Sequence, residues 1–205
     1  MRTVTLQSLL LRAWQRVGND ASTIDNIPAG TRTMMVAAAN DAVAQCWEWA
    51  DWPELMREES RTVQGDSTNG FYIDYAQAGQ TEMGEVFAVF RDNPATHVAP
   101  RQIGYTLLGD SIRFPEDSDL PASVYVRFRV RPTEYTTSNL LATVPTVLGK
   151  AVSYMLTASL LEEDGQMDKA LLMEQKAESD LISERDKYVF QQGQTQRWTA
   201  RVNQY

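Results

Sequence analysis

The hydrophobic period of this chain changes twice, and that change constrains its fold more than any single motif. The chain begins at helical spacing. Leu6, Leu9, Leu10, Ala13 and Val17 share one face behind a capping residue, Thr5, and Gly18-Asn19 end the run. A polar linker, Asp20 to Gly30, carries Pro28 near its end. A second helix is predicted over about Thr31 to Trp49, with Met35, Ala38, Ala39, Ala42, Cys46 and Trp49 on one face. Its alanines let another helix approach closely. Pro53 forbids smooth continuation.

Between Leu55 and Pro132 the pattern suits strands. Candidates are Arg61 to Val63, Phe71 to Asp74, Glu85 to Arg91, Gln102 to Leu107, Ser111 to Phe114 and Ser123 to Arg131, bounded by Gly, Pro, Asn and Asp as turns require. Gly109-Asp110 between two apolar arms is a hairpin signal. In the last strand Val124, Val126, Phe128 and Val130 point one way, and Tyr125, Arg127, Arg129 and Arg131 the other.

Helical period then returns. After a Thr/Ser/Asn-rich linker, Thr143 followed by Val144-Pro145 reads as a helix start, with Pro tolerated in the first turn. Leu148, Ala151, Val152, Met155 and Ala158 line its apolar face, and Gly165 breaks it. A last helix is predicted from Met167 to about Phe190, with Gly193 opening a tail. The expectation is an α+β chain. Residues 1–54 and 140–192 supply a four-helix core from the N- and C-terminal helical pairs, 55–139 an inserted antiparallel β domain, and 193–205 an extended C-terminal arm.

Composition narrows the chemistry. At 205 residues the chain can bury a core without disulfides, and Cys46 is its single cysteine. With His97 the single histidine, a Cys/His zinc site is excluded. Cys46 reads as a small buried hydrophobe and His97, in NPATHVAP, as a surface loop residue. The N-terminal apolar stretch is interrupted by Gln7 and Ser8, so it reads as a helix and not a signal peptide, and no run is long enough for a membrane span. A formal net charge of -8 argues against a surface that grips nucleic acid. No phosphate-loop, dinucleotide or nucleophile-elbow pattern occurs, so no catalytic, cofactor-binding or metal residue is assigned. Carboxylates remain as candidates, with Glu82 and Glu85 beside Gly79 and Gly84 the pair a small carboxylate-dependent hydrolase would use.

Aromatic residues are more informative. Trp47 and Trp49 lie about 200° apart on a helix, so they cannot face one core together. Within the cluster Trp47, Trp49 and Trp52, either one or two fill the junction between the helices and the β insertion, or one meets a neighbouring subunit. The segment Gln194 to Tyr205 carries Arg197, Trp198, Arg201 and Tyr205 with no acid, after an acidic helix. It is either a frayed end or an arm that lies across a partner.

The order of these features resembles a tailed-bacteriophage head-to-tail adaptor, similar to the tubular tail protein A and gatekeeper adaptors of short-tailed phages. The resemblance covers most of the chain. It rests on LQSLLLRAWQRVG, the helix from Asn40-Asp41 to Trp47 with its WPEL junction, the β insertion, and the pair VPTVLGKAVSYMLTASLLEEDGQMDKALLMEQKAESDL. It implies a structural subunit in a homo-oligomeric ring, usually a dodecamer, beneath the portal protein, with no catalysis and no cofactor. Arg197, Trp198, Arg201 and Tyr205 would dock on the portal, and Trp47, Trp49 and Trp52 would meet a neighbouring subunit. The tail nozzle or next neck protein would bind the far side, and double-stranded DNA would pass through the lumen without specific binding. The location implied is the head–tail junction of a virion assembled in the host cytoplasm, with no membrane partner. A small virion-associated hydrolase, or another accessory or tail-completion protein, is the alternative.

Overall fold

The computed structural model describes residues 3–66, 70–115 and 120–202, with side chains described as far as Tyr188. The architecture is α+β and divides into two compact units, Met1–Glu54 with Thr133–Tyr205, and Leu55–Pro132.

The helical unit opens with a short strand, β1 (Thr3–Thr5), that pairs antiparallel with Thr143–Pro145 and sets Val4 opposite Val144. Helix α1 (Leu6–Arg16) follows at once. The Thr5 hydroxyl accepts from the Ser8 N–H at 3.4 Å, which caps the helix, and Leu6, Leu9, Leu10 and Ala13 are buried. Gly18, at φ +96°, turns the chain away. Helix α2 (Ala29–Glu48) starts directly after Pro28, ahead of the predicted start at Thr31. It buries Met35, Val36, Ala39, Ala42, Val43, Cys46 and Trp47.

Helix α3 (Thr146–Glu163) is buried on most of its surface, through Leu148, Ala151, Val152 and Leu156 among others. It is the central helix, against which α1, α2 and the last helix, α4 (Met167–Val202), each pack. Pro145 stands just outside α3 rather than in its first turn, because Val144 is already committed to pairing with Val4. Gly165, at φ +73°, closes α3. Its N–H donates to Glu162 O at 2.9 Å and the Gln166 N–H donates to Leu161 O at 2.8 Å, the Schellman pattern that reverses the chain into α4.

Two predictions about this unit are corrected. The extended arm expected from Gly193 is instead helical to Val202, since α4 runs through Gly193. One glycine costs a helix only about 1 kcal/mol relative to alanine, too little to stop a run otherwise free of proline. The β unit also closes at Pro132, before the expected boundary at residue 139. Residues Thr133 onward are tied to the helices. Asn40 Nδ2 donates to Tyr135 O at 3.0 Å, Asn40 Oδ1 accepts from the Tyr135 N–H at 2.8 Å, and the Tyr135 hydroxyl donates to Thr143 O at 3.1 Å.

The β unit holds two antiparallel sheets. One has the order β2 (Met56–Thr62), β8 (Ser123–Val130), β5 (Met83–Phe90). The other has the order β3 (Gln64–Asp66), β4 (Gly70–Asp74), β7 (Ser111–Arg113), β6 (Thr106–Leu108). The strand at Thr143–Pro145 is β9, in the helical unit. Ile73, Ile112 and Phe114 from one sheet side, and Met83, Val89, Val124, Val126 and Phe128 from the other, share one core. The predicted run Gln102–Leu107 is split. Ile103 N–H donates to Val89 O at 2.9 Å, whereas Thr106–Leu108 pairs with β7. The chain thus changes sheets around Gly104, where no side chain restricts the backbone. Gly109, at φ +57°, occupies the first loop position of the β6–β7 hairpin, where a II′ turn wants glycine.

Candidate functional site

Helices α2 and α4 both lie on α3, and between them runs an open groove of about 700 Å³. Its floor is built from Ala38, Ala42, Met155, Ala158 and Leu181, and the polar Gln45, Ser159 and Gln175 also line it. Its rim is acidic, with Asp41 from α2, Glu162 from α3, and Glu174 and Glu178 from α4. Local sequence explains both parts. Alanine at i and i+4 of α2 keeps the floor low, and Glu174 and Glu178 at the same spacing on α4 stack two carboxylates along one edge. Among the described residues, none of these four acids is held by a cation. The groove therefore presents a mixed surface of small, apolar and amide or hydroxyl side chains flanked by negative charge, a chemistry suited to a cationic segment with an aromatic anchor.

Trp49 joins the tryptophan cluster to the lining of this groove. Trp52 is buried, and its indole Nε1 donates to Cys46 O at 2.8 Å. Trp49 stacks on it at 6.1 Å between centroids, and Tyr188 meets Trp52 edge-on at 6.4 Å. The Arg185 guanidinium lies 5.4 Å from the Trp49 ring centre, and the Tyr188 hydroxyl donates to Glu54 at 3.0 Å. These contacts fasten α4 to the end of α2. Of the three tryptophans singled out as interface candidates, Trp47 and Trp52 are buried at 7% and 1% exposure, and Trp49 alone is partly open and lines the groove. An interface role accordingly narrows to Trp49. Burial pushes the Tyr188 hydroxyl up to about 12, with help from the Glu54 bond.

The other candidates fall into place one by one. Cys46 is buried with its Sγ 3.6 Å from Met155 Sδ, and burial, with Asp180 adding, pushes its thiol up to about 12. Such a thiol is a packing group and a poor nucleophile. His97 is exposed, with its Nδ1 3.3 Å from Asn93 O. Glu82 and Glu85, the carboxylates of the hydrolase alternative, have side chains half exposed or more. Each is ion-paired, Glu82 with Arg131 at 2.7 Å and Glu85 with Arg129 at 3.1 Å. With Arg127 on Glu58, these pairs neutralise the arginines of β8 and Arg131 just beyond it. The side chains of Arg197, Trp198 and Arg201, and all of Tyr205, lie outside the described residues. Among the described residues no group of three or more His, Cys, Asp or Glu is placed to hold a metal ion.

Two buried charges had no sequence signal of their own. Asp180 is buried on α4 and accepts from the exposed Lys150 of α3 at 2.6 Å. The bond to Asp180 holds the Lys150 ammonium above its usual range. Arg61, fully buried in the β unit, donates to Glu59 at 3.0 Å and to Thr81 O, with the Phe128 ring 5.1 Å away. Asp180 sits at helical spacing among the buried Ala177 and Leu181, whereas nothing in MREESRT marks Arg61 as buried. No family model and no curated protein matches this chain.

Proposed function

We propose that this chain is a non-enzymatic structural subunit, a head-to-tail adaptor of a tailed-phage virion that forms a homo-oligomeric ring beneath the portal. In this reading the four-helix core built from the N- and C-terminal helical pairs makes the ring, and the β unit faces outward or toward the tail nozzle or next neck protein. The end of α4, with Arg197, Trp198, Arg201 and Tyr205, docks on the portal. The observation that carries the reading is the disposition of charge and apolar surface. An acid-rimmed groove lies on one side of the helical unit, and a long helix ends in arginine and tryptophan without an acid from residue 189 onward. Complementary surfaces of this kind serve assembly, whereas hydrolysis by paired carboxylates calls for acids poised in a cleft. The exposed, ion-paired Glu82 and Glu85 do not favour the hydrolase alternative.

The net charge of -8 suits the same role. An acidic lumen repels phosphate and lets double-stranded DNA slide, where a basic one would hold it. Native mass spectrometry of the chain alone and mixed with its portal ring tests the proposal. Loading at a fixed multiple of subunits per portal is expected, a dodecamer by the resemblance. A chain that ignores the portal refutes the adaptor reading.

A further inference from the structure

We infer that the groove between α2, α3 and α4 receives the C-terminal segment 189–205 of a second copy of this chain. Size agrees first. The groove runs from Ala38 to Trp49 along α2, about 16 Å or three helical turns at roughly 1.5 Å per residue. Residues 189–202 of α4 make about 21 Å of helix at roughly 1.5 Å per residue, enough to span that length. The small floor residues Ala38, Ala42 and Ala158 let another helix come close.

Charge agrees next. The rim offers Asp41, Glu162, Glu174 and Glu178, and residues 189–205 carry Arg197 and Arg201 and no acid. Trp198 and Tyr205 supply the aromatic anchors that the floor's apolar side chains reward.

Reach decides between a chain's own tail and another's. Leu181 already lies in the groove, and α4 continues as a helix to Val202. That is about 30 Å of helix leading away from Leu181 at roughly 1.5 Å per residue. A tail on that helix cannot fold back into its own groove, so its occupant site is on a neighbour. Each chain then offers one tail and one groove, a heterologous contact that propagates head to tail and closes into a ring if the rotation allows.

The inference keeps the ring-forming subunit of the proposed function but replaces portal docking of this tail with a contact between copies. The two are separable because self-association is measured with no portal present. The experiment is sedimentation velocity of the full-length chain over a concentration series, at low and at high salt. Wild type is expected to self-associate reversibly, and less so as salt rises. Glu174→Lys with Glu178→Lys, and separately Arg197→Glu with Arg201→Glu, should each weaken association by about tenfold or more. A chain carrying all four reversals should associate again, because the charges are complementary once more. The arginine pair lies away from the groove, so its effect is readable even if the groove variant misfolds. A wild-type chain that stays monomeric throughout, tail reversals without effect, or a folded four-fold variant that stays dissociated would each overturn the inference.

Discussion

Asn40 holds the segment after the β unit onto α2 with both of its amide atoms, and removing that clamp gives a cost that can be worked out. The Tyr135 N–H donates to Asn40 Oδ1 at 2.8 Å, and Asn40 Nδ2 donates to Tyr135 O at 3.0 Å. Tyr135 is 4% exposed, so water does not readily replace either partner. A neutral hydrogen bond contributes about 1 kcal/mol net, and a buried group left unsatisfied costs about 1–3 kcal/mol. Asn40→Ala strands one backbone donor and one backbone acceptor together, so the expected loss is about 3 kcal/mol. Asn40→Asp separates the two bonds. Its carboxylate still accepts from the Tyr135 N–H, but its second oxygen then faces the Tyr135 carbonyl. Only the protonated acid can donate there. The folded state therefore raises that carboxyl's pKa above the unfolded value of about 3.9. The aspartate variant should be near wild type below that pH and lose stability as pH rises through the folded pKa. Urea unfolding followed by tryptophan fluorescence is the assay. All five tryptophans lie in the segments of the helical unit, so the signal reports that unit. A loss under about 0.5 kcal/mol for Asn40→Ala, or an aspartate variant with no pH dependence of its own, would refute the clamp.

Two further predictions concern buried ionisable groups. Arg61→Met should be neutral or stabilising to within about 1 kcal/mol, because a buried guanidinium forfeits its hydration, while Glu59→Ala should destabilise by removing that cation's carboxylate; far-UV circular dichroism during denaturation decides, and a large loss in Arg61→Met would show the ion pair to be a net contributor. Burial raises Cys46 from 9.0 and Tyr135 from 10.0, each to about 12, so the fold favours their neutral forms. Their contribution is complete below pH 9 and is lost as pH rises toward about 12, so Tm should fall on alkaline titration. Cys46→Ala and Tyr135→Phe should each flatten that fall, and an unchanged slope in both would show that other groups set it.

Much of the fold was legible because its signals are local. Thr5 caps α1 and Gly165 ends α3, as their positions before and after apolar runs suggested. Alternation along β8 separated the buried Val124, Val126 and Phe128 from the arginines correctly. Of strand β2 only the end was legible, in the candidate Arg61 to Val63, since MREESRT shows almost no apolar alternation. It is a strand because β8 offers it a partner, with Glu58 opposite Arg127. Pro145 was misplaced for a similar reason: whether Val144 begins a helix or completes a strand depends on Val4, far away in sequence.

What the residues determined alone was period, and hence element type, the α+β class, and the poverty of His and Cys that removes whole classes of chemistry. Those follow from side-chain spacing and from the count of available ligands. The groove was decided only by tertiary structure. Asp41, Glu162, Glu174 and Glu178 are ordinary solvated acids when read along the chain. They become a rim because α2 and α4 settle on α3 with a gap between them, and the width of that gap depends on how three helices pack, which no stretch of one helix encodes.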